Sequence, residues 1–312
     1  MGRMDGQGGP NGRAPALGAV AVGAVAVGAA AAITATTVDA ARRDVHLVRT
    51  DAGPAVIHTL RDAGVEPVRV LEQGGVYQSA TYLGERRFEP VFAYYRGFDA
   101  VFEANEALCL RTGHGVQRVL MLGGGGFSWP KHLLTTRSGI ALDVVEVDAK
   151  VVRAARRWFF LGELEERLAD PALAGGNALR VYRAEGRSYL EGTALRQRRY
   201  DAIVNDAFAG AEPARRLATL EAAQAARACL CPGGVYAVNV VSHEGGTDLT
   251  FLRDEAATLT EVFAHVHVLD ISDAHFGAEA NYLLIATDGD GAFPGAIPFD
   301  DGFLGRLLHD PR

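Results

Sequence analysis

The stretch that decides the fold reads Val119-Leu120-Met121-Leu122-Gly123-Gly124-Gly125-Gly126, an apolar run that ends in four glycines. A second apolar run, Val144 to Asp148, contains Glu146 and ends in an acid. Glycines let the backbone turn sharply and pass close to a ligand. An acid about 20 residues past such a turn can accept hydrogen bonds from ribose hydroxyls. Strand, glycine turn, helix, strand and acid in this order predict an α/β sheet that holds a nucleoside.

Strands and helices alternate from about residue 117 onward. Strands are predicted at 117–122, 141–147, 179–183, 200–205 and 233–240, and helices at 129–137, 149–160, 187–194 and 214–230. A helix over 248–263 and strands over 265–271 and 280–287 follow, and the last two strands are close enough to form a hairpin. The alternation predicts a nucleoside-binding α/β domain over 115–290, with a mostly parallel sheet between helices. The Gly-, Pro- and Asp-rich tail, 291–312, is expected on the surface.

The chain before this domain has a different pattern. Residues 1–15 are rich in Gly and Pro, which predicts disorder. Within 44–110, residues 44–63 are expected to form a lead-in with some helix. Strand formers on both sides of Gln73-Gly74-Gly75 predict a β-hairpin of Val68–Glu72 and Val76–Tyr82. Apolar and aromatic residues at helical spacing predict a helix over 91–109.

Residues 16–38 carry no charge and are rich in Ala, Gly and Val. The whole uncharged stretch is 14–38, and as a helix these 25 residues would be about 37 Å long at 1.5 Å per residue, which exceeds the roughly 30 Å hydrocarbon slab of a membrane. Few of its residues are large aliphatics, so its hydrophobicity supports insertion only weakly. A single transmembrane anchor, an export signal and a low-complexity apolar tail therefore stay open as alternatives.

The overall charge and the cysteines limit which partners and which compartment fit this protein. A net charge of −7 and a pI near 5.7 argue against nucleic acid as a main partner. The three cysteines, Cys109, Cys229 and Cys231, have neither the spacing of a redox pair nor that of a zinc site. We expect them to be ordinary core or near-surface thiols in a reducing compartment, and we expect no metal.

Seven pieces of the sequence occur in the order typical of one known family. They are Gln78-Ser79, Tyr94 or Tyr95, Gly123–Ser128, Val145–Asp148, Ala184–Gly186, Tyr200–Gly210 and Leu230–Gly234. This order resembles the polyamine aminopropyltransferase family, spermidine synthase and its relatives. The resemblance implies a class I methyltransferase-like (Rossmann-like) domain behind a small β-hairpin domain. It also implies S-adenosylmethionine or decarboxylated S-adenosylmethionine as the donor, with a small-molecule amine as the acceptor.

The resemblance assigns a set of residues to the donor. The backbone of Gly123–Gly126 would pass beneath it, and Glu146 would bind both ribose hydroxyls. Asp148 would either contact the donor or cap the following helix. Glu185, with Gly186, would stand where the family's acid meets the adenine amino group.

The acceptor side departs from the family pattern. Asp206 matches the first acid of the family's polyamine-binding loop and is expected to be the general base, and Gln78 and Tyr95 are expected to line the acceptor pocket. Gly126 stands where the family has an Asp that holds the aminopropyl ammonium, and Ala209 replaces the second acid of the polyamine-binding loop. Loss of one partner of a buried charged contact costs about 2–5 kcal/mol, so we expect an altered acceptor site.

Several functions remain open at this level. The first is transfer of an aminopropyl group to an amine, and the second is methyl transfer from S-adenosylmethionine. A nicotinamide-dependent oxidoreductase is disfavoured because Ser128 occupies the third glycine position of its fingerprint. A non-catalytic nucleoside-binding or scaffold protein is supported by the two missing acids. The resemblance also implies a homodimer, and the origin of the donor places the globular part in the cytoplasm.

Deletion of residues 1–38 tests the anchor hypothesis. If residues 16–38 span a membrane, the full-length protein will sediment with the membrane fraction of a cell lysate, and the truncated protein will be found in the soluble fraction. The measurement is immunoblotting of the two fractions after high-speed centrifugation. Full-length protein that stays in the supernatant contradicts the hypothesis.

Overall fold

A computed structural model of the chain describes residues 44–61, 64, 66–192, 199–209, 212–242, 248–272 and 280–311. The predictions of disorder over 1–15 and of an anchor over 16–38 lie outside the described residues. In the described part of the chain, none of the helices combines the length and the hydropathy that crossing a bilayer requires.

The first described element is an antiparallel sheet of four strands in sequence order. Its strands are β1 (His46–Thr50), β2 (Gly53–Leu60), β3 (Val68–Gln73) and β4 (Val76–Tyr82). The predicted hairpin is β3–β4 and is confirmed. The helix expected within 44–63 is wrong, because alternate residues of β2, Ala55 and Ile57, are buried with Leu71 and Phe159 in one small core. A period of two buries these side chains on one face of a strand, which a helix cannot do.

A helical connection leads from this sheet to the main domain. It consists of α1 (Tyr94–Gly97), a 3₁₀ segment (Phe98–Ala104) and α2 (Asn105–Thr112). The helix predicted over 91–109 is therefore confirmed in type, although it starts later and changes its winding. Phe98, Val101 and Leu108 are fully buried against the main sheet.

The main domain alternates strands and helices as predicted. In chain order its elements are β5 (Arg118–Leu122), α3 (Ser128–Thr136), β6 (Ala141–Glu146), α4 (Ala149–Trp158), α5 (Leu161–Ala169), α6 (Pro171–Ala174), β7 (Ala178–Arg183), α7 (Gly186–Glu191), β8 (Tyr200–Asn205), β9 (Phe208–Ala209), β10 (Glu212–Pro213), a 3₁₀ turn (Arg215–Leu217), α8 (Leu220–Cys229), β11 (Leu230–Ser242), α9 (Thr250–Thr260), β12 (His265–Asp270), β13 (Ala280–Thr287) and β14 (Ala296–Ile297). The sequence reading missed α5 and α6.

The order of strands in the main sheet identifies the fold class. The order is β14-β12-β13-β11-β8-β5-β6-β7. The pairs from β11 through β7 are parallel, and β13 runs antiparallel between β11 and β12. This is the arrangement of a class I methyltransferase-like domain, and the predicted hairpin of the last two long strands is confirmed. The tail is not wholly on the surface, because β14 pairs with β12 and Phe293 is buried.

Both faces of the main sheet are covered. Val119 and Met121 of β5 pack on one side with the helical connection, and Leu120 and Leu122 pack on the other side with α8 and α9. A strand buried on both faces reads as a continuous apolar run rather than an alternating one, which explains the sequence of β5. None of the three cysteines is in a disulfide in the described part of the chain, and Cys229 is buried.

A buried lysine ties the small sheet to the main domain. The Lys131 ammonium group on α3 donates to the Thr81 hydroxyl on β4 (2.9 Å) and to the carbonyl oxygens of Arg87 (3.0 Å) and Phe159 (2.9 Å). The side chain is fully buried, and this burial lowers the pKa of Lys131 to about 7, with Glu163 opposing the shift. Its three donors are all used by partners on three different segments.

Replacement of this lysine should weaken the junction between the two sheets. We expect Lys131→Ala to lower the free energy of unfolding by about 3–5 kcal/mol, because it leaves a cavity and removes three buried hydrogen bonds. Urea denaturation followed by circular dichroism measures the change. Lys150→Ala is the control: its ion pair with Asp51 is on the surface, and such pairs contribute only about 0–1 kcal/mol. Equal effects of the two substitutions would contradict this role of Lys131.

Candidate functional site

The glycine loop brings the ends of two strands into contact. It follows β5 directly, and Gly123 has a φ of +90°, a conformation that side chains other than glycine's rarely allow. A Cβ on Gly123 would also collide with the carbonyl oxygen of Asp206, the residue after β8. The amide of Asp206 in turn donates to the Leu122 carbonyl (2.9 Å). The loop and Asp206 therefore meet at the carboxyl edge of the sheet, where open α/β sheets bind ligands.

Glu146, the last residue of β6, faces this loop. Its Oε2 accepts hydrogen bonds from the amides of Gly124 (3.0 Å) and Gly125 (3.2 Å), and its Oε1 accepts from the amide of Asp148 (3.0 Å). The residue is only 8% exposed. Its carboxylate is thus fixed against the glycine loop rather than turned into bulk water, which is the position that the nucleoside hypothesis requires.

Asp148 and Glu185 both occupy helix N-termini. Asp148 caps α4 by accepting from the Lys150 amide (2.7 Å), and it also accepts from the Asp51 amide in the turn between β1 and β2 (2.5 Å). Glu185 caps α7, which begins at Gly186, by accepting from the amides of Arg187 and Ser188. These hydrogen bonds lower the pKa of Glu185 against the opposing effect of burial. The cap role of Asp148 is confirmed, and contact of either acid with a donor stays a prediction.

Asp206 lies in a strongly desolvated environment although part of it remains accessible. Burial raises the pKa of Asp206 to about 7, and a hydrogen bond from Asn239 opposes this rise. The Asn239 amide nitrogen donates to Asp206 Oδ1 over 2.8 Å. Asp206 also raises the pKa values of Tyr94 and Tyr95, although burial raises both more. Asp206 is therefore poised to exchange a proton near neutral pH, with two neutral tyrosines beside it.

The predicted acceptor residues lie on the other side of the loop. Strand β4 passes over it, so that the Gln78 carbonyl oxygen is 3.9 Å from where a Cβ of Gly125 would lie. Tyr95 is buried, and its ring stacks on that of Tyr94 with 4.2 Å between centroids. Because Tyr94 keeps some accessible surface, it is the better placed of the two to meet a ligand. The structure thus places Tyr94 and Tyr95 close enough to Asp206 to feel its charge, whereas Gln78 is placed only by its backbone, which lies near Gly125.

The surroundings of Gly126 leave little room for the Asp that the resemblance predicts at this position. A Cβ at this position would collide with the Ser79 side chain on β4 and come within 3.1 Å of the Phe159 ring. Strand β4 therefore occupies the space that an aspartate side chain would need.

Sequence reasoning missed two of the residues at this edge. Ser79 was quoted only as part of a motif, and Asn239 was not singled out at all. The available signal was the position of Asn239, a polar side chain in the middle of the apolar run Val235–Val241. Among the described residues, no group of three His, Cys, Asp or Glu side chains is arranged to hold a metal ion.

Two curated proteins are similar to this chain in sequence over part of its length. The chain is 28% identical over 151 residues to a polyamine aminopropyltransferase of Vibrio vulnificus, which is 48% of this chain and 45% of that protein. It is 30% identical over 128 residues to polyamine aminopropyltransferase 2 of Hyperthermus butylicus, 40% of this chain and 39% of that protein. The chain therefore matches less than half the length of each relative. No protein-family model matches it.

The fold comparison extends over much more of the chain. A probable spermidine synthase from Corynebacterium glutamicum superposes with a TM-score of 0.60 at 22% identity, over 86% of this chain and 96% of that one. In sequence the chain is similar to polyamine aminopropyltransferases, and in fold it is similar to this probable spermidine synthase. The fold likeness includes the small sheet, because the matched 86% exceeds what the main domain alone would supply.

Asparagine at position 206 should stabilise the fold more at high pH than at low pH. Because the pKa of Asp206 is raised to about 7, the folded protein keeps a proton between about pH 4 and 7 that the unfolded chain has released. The contribution of Asp206 to stability therefore falls as the pH rises through that range and stays low above it. We expect Asp206→Asn to raise the free energy of unfolding by about 2 kcal/mol at pH 8 and to change it little at pH 4.5.

Urea titrations at the two pH values measure this difference. Asp290→Asn is the matched control, because Asp290 is highly exposed and pairs only with surface groups. A gain from Asp206→Asn that is equal at both pH values would show that its carboxylate is not desolvated in the folded state.

Proposed function

We propose that this protein transfers the aminopropyl group of decarboxylated S-adenosylmethionine to an amine. One observation carries the proposal: Glu146 and Asp206 lie on the two sides of one glycine loop, the first bonded to its amides and the second in contact with Gly123. A donor that rests on the loop would then have its ribose beside Glu146 and its reactive end toward Asp206. The names of the relatives support the same reaction.

The reaction needs alignment and one base. The lone pair of a neutral amine attacks the carbon bonded to the sulfonium, the new C–N bond forms, and the C–S bond breaks. Its electron pair stays on sulfur, which becomes the neutral thioether of the product nucleoside, and Asp206 takes the proton that the amine nitrogen releases. A base with a pKa near the working pH is suited to this step. Holding the two reactants in line supplies much of the remaining rate enhancement.

The hydrogen bonds of Glu146 fit it to the ribose. The loop amides hold its carboxylate at the edge of the sheet, and carboxylate oxygens can accept from two hydroxyls at once. The same bonds orient the loop, so that Glu146 would shape the donor site as well as touch the donor. Asp148, Glu185 and Gly186 complete the proposed donor side from the N-termini of α4 and α7.

Methyl transfer from S-adenosylmethionine is a second candidate because of Gly126. The resemblance gives the residue at this position the task of holding the aminopropyl ammonium, and here the space for an acid is taken by Ser79. A donor that transfers a methyl group does not need that contact. The choice of donor in a binding experiment separates the two reactions.

The proposal also covers the location of the protein in the cell and its oligomeric state. We place the globular part in the cytoplasm, where the donor is made, with residues 16–38 as a candidate anchor. A homodimer is proposed from the family resemblance alone.

Two matched amide substitutions test the proposed roles. We expect Asp206→Asn to reduce turnover by about 10²–10⁴-fold, the usual contribution of a general base, and to leave donor affinity within a few-fold. We expect Glu146→Gln to weaken donor binding at least tenfold, because the amide replaces one acceptor by a donor. Calorimetry with decarboxylated S-adenosylmethionine, S-adenosylmethionine and NAD, together with product assays on 1,4-diaminobutane, makes both measurements.

The outcomes separate the candidate functions. Binding of NAD alone would refute any transferase, and methylated product from S-adenosylmethionine would replace aminopropyl transfer by methyl transfer. Tight donor binding without product from any amine would favour a scaffold. Full activity of Asp206→Asn would remove Asp206 from the mechanism.

A further inference from the structure

Asn239 is a buried amide that the reaction above does not yet use. It lies on β11 on the same face as Val235 and Ala237, which pack in the core beneath the helical connection. The residue is 4% exposed. Its Nδ2 donates to Asp206 Oδ1 over 2.8 Å, so that the amide group sits directly beside the proposed base.

The other end of this amide has no partner among the described residues. Asn239 Oδ1 is buried and accepts no hydrogen bond there. A buried acceptor left unpaired costs about 1–3 kcal/mol, and such groups are rare enough in folded proteins to need an explanation.

The other buried asparagines show the usual pattern. Asn177 Oδ1 accepts from the Ile140 amide, and its Nδ2 donates to the carbonyls of Leu134 and Arg137. Asn205 Oδ1 accepts from the Ala207 amide, and its Nδ2 donates to the Tyr236 hydroxyl. Of these three buried asparagines, the one with an unpaired acceptor is Asn239, beside Asp206.

We propose that Asn239 Oδ1 and Asp206 together form the subsite for a primary amine, an inference that rests on the proposed function. The attacking nitrogen of a neutral primary amine has two N–H groups and one lone pair. One N–H donates to Asp206, the other donates to Asn239 Oδ1, and the lone pair is then left to face the donor carbon. A secondary amine has a single N–H and satisfies only one of the two acceptors.

The same side chain has a second effect through its nitrogen. Its hydrogen bond favours the anionic form of Asp206, which is the form that accepts the proton. Tyr94 and Tyr95 are the titratable groups that face Asp206 from α1, and burial keeps both neutral. Asn239 therefore acts on both partners of the proton transfer: it orients the amine and keeps the base ionised.

Two substitutions separate these effects. Asn239→Leu removes both the donor and the acceptor at similar volume, whereas Asn239→Asp removes the donor and keeps an acceptor oxygen. Each protein is saturated with 5′-methylthioadenosine, the nucleoside product, and titrated by calorimetry with 1,4-diaminobutane at pH 8.5. We expect Asn239→Leu to weaken amine binding at least 30-fold and Asn239→Asp to stay within about threefold of the unsubstituted protein.

The dependence of kcat/KM on pH distinguishes the proposed role of Asn239 from a purely structural one. Both substitutions should shift the acid limb of kcat/KM for the amine to higher pH, because each removes the hydrogen bond that favours ionised Asp206. Asn177→Leu is the matched control, since it disrupts a buried asparagine away from the site. It should lower stability and leave both amine affinity and the acid limb unchanged.

Amine selectivity completes the test. At pH 8.5 both test amines are ammonium ions: n-butylammonium has N–H groups for both acceptors, whereas N,N-dimethylbutylammonium has only one. The unsubstituted protein should therefore bind n-butylamine at least tenfold more tightly than N,N-dimethylbutylamine, and Asn239→Leu should lose most of that preference. Unchanged amine binding in Asn239→Leu, equal binding of the two amines, or no amine binding at all would each overturn the inference. Loss of 5′-methylthioadenosine affinity in step with amine affinity would also overturn it, since the effect would then be general disruption.

These binding experiments need no turnover. If amine binding depends on Asn239 but no product forms from decarboxylated S-adenosylmethionine, the proposed function fails and the subsite stands. If product forms but amine affinity is unaffected by Asn239→Leu, the proposed function stands and the subsite fails.

Discussion

The structure depends on the close approach of a glycine loop to two acidic residues. The Glu146 carboxylate accepts from the amides of Gly124 and Gly125, and Gly123 is so close to Asp206 that no side chain fits between them. These contacts join the ends of three parallel strands, β5, β6 and β8. A side chain at Gly123 would collide with the backbone of Asp206 and push the two strand ends apart.

The small sheet is part of the site rather than an appendage. Strand β4 runs over the loop at Gln78 and Ser79, and Lys131 holds this strand and the Arg87 turn to α3 with three hydrogen bonds. Asp148 makes a second junction through the Asp51 amide. The contacts of Gln78 and Ser79 with the glycine loop therefore exist only when the two sheets are docked. Because Ser79 of β4 packs tightly against Gly126, the docked small sheet leaves no room for an acidic side chain at position 126.

Polar groups in the site are placed against the preferences of a stable core. Burial raises the pKa of Asp206 to about 7, and Asn239 leaves a buried oxygen without a partner among the described residues. By contrast, the buried Asn177 and Asn205 have hydrogen-bond partners at both the oxygen and the nitrogen of their amides. Unpaired buried groups of this kind are typical of functional sites, where a ligand can supply the missing hydrogen bond.

The sequence by itself determined the order of strands and helices in the main domain, the place of the glycine loop, and the acids that end β6 and follow β8. These features are local: apolar runs, glycines and strand-end acids are adjacent in the chain. The sequence failed at β1 and β2, because Ala55 and Ile57 of β2 are buried with Phe159, which is far along the chain, and it also failed at α5 and α6. Only the tertiary structure decided that Tyr94 is more accessible than Tyr95, that Ser79 fills the space beside Gly126, and that Asn239 meets Asp206. The contacts of Ser79 with Gly126 and of Asn239 with Asp206 join residues 33 or more positions apart. The docking of sheets and helices sets the distance between such residues, and no local pattern encodes it.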